Sequence, residues 1–408
     1  MKPRRIFYVT NARLPTERAH GLATIKLAEA FAKQGLEVTL FRPWRVNPLR
    51  DDLYRYYGVE QNFRVATLPS LDFLWLGFGG RFFFVVQLLS FSVVTAIYLC
   101  LRYGLWGALR DTVIFSEDHV PLFFASLFTS NIFVDIHDYP TNNAWYGRVL
   151  RRAIGCSVQT RWKVDQLGRD FGIGREKIAY WPNGTETERF DTPVSRGEAR
   201  RALRLPLNRR LVLYVGSLPR WKGVETLVQA AAALPEDVTL YIVGGGNAEV
   251  ERLRLKNQAS GIGNVVLVGQ RPWREIPLWL KAARVLVLPN TGREEISRHY
   301  TSPLKLFEYM ASGTPIVASD IPSIREIMND TMGFFAVADD AESFARAIER
   351  ALGDPEEAAR RAEQARADVR KYTWARRAEE ILARMQIGSN ATMVKREIVH
   401  GEPGSPGY

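Results

Sequence analysis

The chain has 408 residues and a net charge of +11, carried mainly by arginine. Its length predicts two or three domains, and 46% apolar with 24% charged residues excludes a disordered or fibrous chain. Two cysteines, Cys100 and Cys156, exclude a disulfide framework, and five scattered histidines give no metal-ligand spacing. The positive balance suits an anionic partner, namely a nucleotide, a membrane surface or a nucleic acid. No basic–aromatic ladder or zinc spacing supports nucleic acid. The opening M-K-P-R-R-I-F-Y-V-T is a basic flank running into a strand. It is too short for a signal-peptide core, so a cytoplasmic location is expected.

Ile6 to Val9 reads as a buried strand. A polar loop, Asn11 to His20, leads to Gly21 and a helix with Leu22, Ile25, Leu27, Ala28 and Phe31 at helical spacing. Gly35 ends it, and Leu36 to Phe41 is a second strand. This strand–loop–helix–strand unit opens an α/β domain with a parallel sheet. It lacks G-x-G-x-x-G, so a dinucleotide fingerprint is absent.

Residues 82–101 carry no charge and lie between Arg81 and Arg102. Their length qualifies as a membrane span. Topology argues against one, because strands on either side should share a sheet. Three alternatives stay open: a buried helix, an interfacial helix on an anionic membrane surface, and a span.

Val113 to Phe115 and Ile132 to Ile136 are further strands. His137 and Asp138 follow the second, and ligands of a parallel sheet bind beyond the carboxyl ends of its strands. Asp138 is the expected orienting partner of the imidazole. Cys156 to Gln159 is another strand, and Lys177 to Trp181 leads into the breaker cluster Pro182-Asn183-Gly184. A first domain over 1–190 is expected.

Strand–helix alternation then repeats over 191–372. Leu211 to Val215, Val238 to Val243, Val265 to Val268, Val285 to Leu288 and Ile316 to Ala318 predict a second parallel sheet. A helix over 373–386 closes the fold, and 387–408 lacks periodicity and reads as a disordered tail.

Between His299 and Glu326 the chain reads H-Y-T-S-P-L-K-L-F-E-Y-M-A-S-G-T-P-I-V-A-S-D-I-P-S-I-R-E. Ser302 suits an N-cap, Pro303 the first helical position and Gly313 the C-terminal stop. Free backbone N–H groups near Thr301 and Ser302, with Lys305 one turn in, make an anion site. Leu304, Phe307 and Ala311 should face the core, with Glu308 among them. An inward carboxylate needs partners, and a ribose diol supplies two donors. A solvated helix glutamate is the alternative.

The run T-S-P-L-K-L-F-E-Y-M-A-S-G-T-P-I-V-A-S-D resembles the donor-binding signature of family-4 glycosyltransferases, retaining enzymes of GT-B fold. The resemblance implies two Rossmann-like domains facing a cleft, a terminal helix crossing back to the first domain, and a nucleotide-diphosphate sugar donor. In that family two glutamates stand eight positions apart. The second matches Glu308, but the first falls on Tyr300. The resemblance further implies that Thr301, Ser302, Pro303, Leu304 and Lys305 line the donor site. It gives Gly21 a close backbone approach to donor or acceptor, a bare helix-start glycine being the alternative. His137 approaches the donor sugar. In G-S-L-P-R-W-K-G the family's lysine is Lys222, its arginine is replaced by Ser217, and Arg220 is a nearby substitute.

The sequence therefore predicts a metal- and cofactor-independent retaining glycosyltransferase, acting from a nucleotide-sugar donor onto a glycan or lipid-linked acceptor in cell-surface glycan synthesis. It is expected at the inner face of the membrane, with His137, Lys222 and Glu308 as its catalytic residues. A nucleotide-sugar 2-epimerase and a non-catalytic nucleotide-sugar-binding subunit are the alternatives.

Overall fold

The computed structural model describes residues 3–77, 79–104, 109–140 and 144–386. The tail expected over 387–408 lies outside the described residues. Two compact units share the chain: Met1–Pro182 with the segment from Trp374 on, and Asn183–Thr373.

The first unit holds seven parallel strands: β1 (Arg5–Val9), β2 (Glu37–Pro43), β3 (Arg64–Leu68), β4 (Thr112–Ser116), β5 (Ile132–Ile136), β6 (Gly155–Val158) and β7 (Ile178–Tyr180). Their order is β3-β2-β1-β4-β5-β6-β7. β4 and β5 are buried at every position, which is why T-V-I-F-S and I-F-V-D-I do not alternate. Ile6 pairs with Val38 on one side and Val113 on the other. Strand order reverses between β1 and β4, so their carboxyl ends flank a switch point.

Residues 82–101 fall in the helix Gly80–Leu99, continued by the π-helical turn Cys100–Gly104. Burial as a core helix, the first of the three alternatives, is not what the structure holds. Only Gln87, Phe91, Ser92, Thr95 and Leu99 of the helix are buried. Phe91 and Leu99 join the core of the sheet with Ile114, Val134 and Leu122. β3 before the helix and β4 after it belong to one sheet, as the argument against a span requires.

The second unit holds six parallel strands: β8 (Arg210–Val215), β9 (Val238–Val243), β10 (Val265–Gly269), β11 (Val285–Leu288), β12 (Ile316–Ser319) and β13 (Phe334–Ala336). Their order, β10-β9-β8-β11-β12-β13, reverses between β8 and β11. Val212, Leu240, Val287 and Val317 of the sheet bury against Leu227, Phe344 and Ile348. The helix over 374–386 packs into the first unit.

Candidate functional site

The second unit gathers cations at its switch point. Helix Leu304–Ser312 starts after Pro303 and ends at Gly313, left-handed at φ 65°. It buries Leu306, Phe307, Tyr309 and Met310. The Val215 N–H donates to the Tyr309 hydroxyl at 2.8 Å, which ties the helix to the carboxyl end of β8. Leu304, Lys305 and Glu308 occupy the half-buried face. The expectation that Leu304 and Glu308 share the core face with Phe307 is thus corrected, because the buried stripe is centred on Leu306, Phe307 and Met310. The Ser302 cap is corrected too. Pro303 holds the cap position, and among the described residues no side chain caps the helix. Ser302 Oγ instead accepts from the Asn183 N–H at 3.1 Å, and its carbonyl accepts from Asn183 Nδ2 at 2.8 Å. The first helical N–H groups keep no side-chain acceptor, which leaves them available to an anion.

Two ammonium groups converge here. Lys305 Nζ donates to the Tyr214 hydroxyl at 2.6 Å. Lys222, buried, lies 3.7 Å from the Trp221 ring centre. Burial pushes Lys305 down to about 7. Burial and then the Lys305 charge push Lys222 well below the usual lysine range. Gly216 has φ 145°, and a Cβ there would sit 2.2 Å from Lys305 Nζ, so only glycine lets the lysine reach the loop. Gly223 has φ 65°, and a Cβ there would meet the Pro289 carbonyl at 1.9 Å. Ser217 and Arg220 of the same loop are exposed.

Burial raises the Glu308 carboxyl to about 7, against the pull of Lys305 and Arg189. The Arg189 guanidinium stacks 3.0 Å from the Trp273 ring centre. Tyr300 closes a π-helical turn, Ile296–Tyr300, and Thr301 follows in extended backbone. Asn290, just beyond β11, is fully buried, and neither atom of its side-chain amide has a partner among the described residues.

The first unit places His137 just beyond β5. Its Nε2 lies 2.9 Å from Asp135 Oδ2, so the orienting carboxylate is Asp135 and not the exposed Asp138. The two-residue alternation of a strand explains this: Asp135 and His137 emerge on the same face. Asp135 also accepts from Ser157 at 2.7 Å, from Gln159 at 3.2 Å and from Arg377 at 2.6 Å. Burial alone would raise its carboxyl, but Arg377 and then His137 hold it well below the usual carboxylate range. Lys163, fully buried, donates to the carbonyls of Ile136 and His137. At the end of β4, Glu117 accepts from Thr10 at 2.6 Å and from Thr24 at 3.1 Å, and Asp118 accepts from the Asn11 N–H at 2.6 Å. Burial and the Asp118 charge raise Glu117 to about 7. His20 is lowered to about 4 by burial, then by Arg18 and His137. Gly21 is buried, and a Cβ there would meet Thr16 at 2.4 Å and the Tyr57 hydroxyl at 2.6 Å. These contacts require a glycine at this position.

Sequence reasoning brings together Lys222, Lys305 and Glu308 in one unit and His137 in the other. It passed over Asp135, Arg377, Glu117, Asp118, Arg189 and Asn290. Of these, Asp135 and Glu117 carried a usable signal: a charged residue inside or directly after an otherwise apolar strand. Among the described residues, no group of three or more His, Cys, Asp or Glu side chains is placed to hold a metal ion.

Residues 195–368 match the family model described as "Glycosyl transferases group 1". A D-inositol 3-phosphate glycosyltransferase of Xylanimonas cellulosilytica is 31% identical over 237 residues, covering 56% of this chain and 55% of that protein. One of the same name from Corynebacterium urealyticum is 26% identical over 377 residues, covering 87% of each. The chain thus spans about half the length of the first of these relatives and most of the second. Among solved structures, sucrose-phosphate synthase from Thermosynechococcus elongatus aligns with TM-score 0.73 at 22% identity, over 97% of this chain and 99% of that one. Anabaena HepE in complex with UDP-glucose aligns with TM-score 0.69 at 17% identity, over 94% and 99%. These likenesses carry the fold. The chain has the two-domain GT-B fold, and the match to the group 1 glycosyl transferase model covers nearly the whole of its second unit.

Proposed function

We propose that this protein transfers a sugar from a nucleotide-diphosphate sugar to a glycan or lipid-linked acceptor, with retention and without a metal or other cofactor. The observation that carries the reading is the Lys222–Lys305 pair. The Lys305 charge helps to lower the buried Lys222, beside a helix start whose first N–H groups have no side-chain cap, while Lys305 Nζ is held on the Tyr214 hydroxyl and Lys222 over the Trp221 ring. Holding like charges together is costly unless an anion occupies the site. A donor diphosphate is such an anion. The charge that builds on it as the glycosidic bond breaks is stabilised by the same groups. Glu308, four residues beyond the helix start, takes the ribose diol, and Tyr300 lies toward the sugar. His137 is the residue we assign to the transferred sugar. HepE, solved in complex with UDP-glucose, and the relatives named D-inositol 3-phosphate glycosyltransferase support a nucleotide-sugar donor. The setting that fits is the cytoplasmic face of an anionic membrane, in cell-surface glycan synthesis.

A turnover assay tests the reading. Purified protein is given a panel of UDP-, GDP-, ADP- and dTDP-sugars, and release of nucleoside diphosphate and the anomeric configuration of the product are followed by NMR. Diphosphate release with retained configuration is expected. Isomerised donor without diphosphate release would make the protein an epimerase. Binding without any turnover, across acceptors, would make it a non-catalytic subunit.

A further inference from the structure

Helix Gly80–Leu99 is amphipathic in the reverse sense. Its buried face carries the polar side chains Gln87, Ser92 and Thr95 beside Phe91 and Leu99. Gln87 Nε2 donates to Asn11 Oδ1 at 2.9 Å, and Ser92 Oγ to the Leu88 carbonyl at 2.6 Å. The solvent face is a stripe of Phe82, Val85, Leu89, Val93, Ile97 and Leu101, at spacings of three and four. Phe82 is 67% exposed, Ile97 53% and Leu101 58%. Trp75, 63% exposed, extends the patch from the preceding segment. A contiguous apolar patch of this extent on a soluble face marks an interaction surface.

The charge around the patch selects its partner. From residue 73 to residue 110 there is no Asp or Glu, but there are Arg81, Arg102 and Arg110. Two further helices, His119–Ala125 and Ala144–Arg152, join Gly80–Leu99 in the same core through Leu122, Val149 and Leu150. Both lack acidic residues as well. The second presents Arg148, Arg151 and Arg152 around a hollow of about 550 Å³ that Phe123 and Trp145 complete. Trp145 stacks on Phe123 at 4.3 Å between ring centres. A second copy of the chain on this face would set arginine against arginine, with no Asp or Glu within the three described helices to pair them. A span would have to pull Phe91 and Leu99 out of the first unit's core.

We infer that this helical layer is a seat for an anionic bilayer. Helix Gly80–Leu99, about 30 Å long, lies in the membrane plane with its apolar stripe among the acyl chains, while Arg148, Arg151 and Arg152 take lipid phosphates beside Trp145. The inference deepens the proposed use of a lipid-linked acceptor, since it brings the first unit to the surface where such an acceptor resides. It is tested without any transfer reaction, so either can fail alone.

The experiment is vesicle flotation of the full chain, with phosphatidylcholine alone and with phosphatidylcholine containing phosphatidylglycerol. Binding is expected only with the anionic lipid, and it should weaken as salt rises from about 50 to 500 mM. Each basic side chain at an anionic surface is worth roughly fivefold in affinity. The triple variant Arg148→Gln/Arg151→Gln/Arg152→Gln should therefore bind about a hundredfold more weakly. Phe82→Ser/Ile97→Ser/Leu101→Ser, on the outer stripe, should also lose binding while its cooperative thermal unfolding is kept. Four results would overturn the inference: no flotation of the wild type, flotation independent of lipid charge, retention after carbonate extraction, or dimerisation lost in the stripe variant without any vesicle binding.

Discussion

Arg377 Nη2 donates to Asp135 Oδ1 at 2.6 Å across 242 positions of sequence, with the two side chains 1% and 0% exposed. The last described helix is thereby fastened under the strand that carries His137. Arg377 also donates to the Trp181 carbonyl. A buried carboxylate stripped of its partner is strongly unfavourable, so Arg377→Met should cost roughly 3–5 kcal/mol of stability. Adding Asp135→Asn to it should recover much of that loss, since neither charge then remains buried alone. Urea unfolding of the two single variants and the double variant measures the coupling. Strictly additive losses would mean that the pair does not act as a unit.

A second prediction concerns pH. Burial lowers Lys305 to about 7, whereas in the unfolded chain it titrates near 10.5. Between those values the unfolded chain binds the extra proton, so this group makes stability rise with pH over that window and weakens the ligand-free protein most below pH 7. Lys305→Met should therefore raise the melting temperature of the ligand-free protein at pH 6.5, and the gain should shrink toward pH 9. The same variant should bind nucleoside diphosphate more weakly, and the wild-type decline in affinity from pH 6.5 to 8.5 should flatten. Calorimetric titrations in buffers of different ionisation enthalpy should show proton uptake on binding in the wild type. A destabilised Lys305→Met at pH 6.5 would contradict the assignment.

A third prediction is indifference to chelation. Lys222, Lys305 and the helix N–H groups already supply positive charge for a diphosphate. Turnover should be unchanged by EDTA and by added Mg²⁺ or Mn²⁺. Activity that disappears with EDTA and returns with either ion would show that the diphosphate needs a metal.

Much of this was legible in the sequence, for a physical reason. Strands buried on both faces, such as Val238–Val243 and Ile132–Ile136, are continuous apolar runs and stand out. β3 and β13 did not: one is an edge strand with mixed exposure, and the other has three residues. The donor-side stretch was legible because Pro303 and Gly313 bracket a short helix. The face of that helix was misread because Glu308 was grouped with Phe307 from spacing alone. The inner face is decided instead by Tyr309 reaching the backbone of Val215. Asp135 was overlooked inside a strand, since its compensating charge, Arg377, comes from the far end of the chain. The inverted helix Gly80–Leu99 could be read as apolar but not as exposed, because composition does not say which face meets the sheet.

The fourth prediction bears on the central claim, that the second unit holds a nucleotide-diphosphate sugar with Glu308 on its ribose. Hydrogen bonds to a charged group contribute roughly 1.5–3 kcal/mol. At pH 8, above the value near 7 to which burial raises Glu308, the carboxyl is mostly ionised. Titration calorimetry of the preferred nucleoside diphosphate at that pH should show Glu308→Gln binding about ten- to a hundredfold more weakly than the wild type, while Tyr300→Phe binds the diphosphate almost as the wild type does and differs in transfer or sugar preference. If Glu308→Gln binds as tightly as the wild type, the carboxylate does not hold the ribose and the account of this site is wrong.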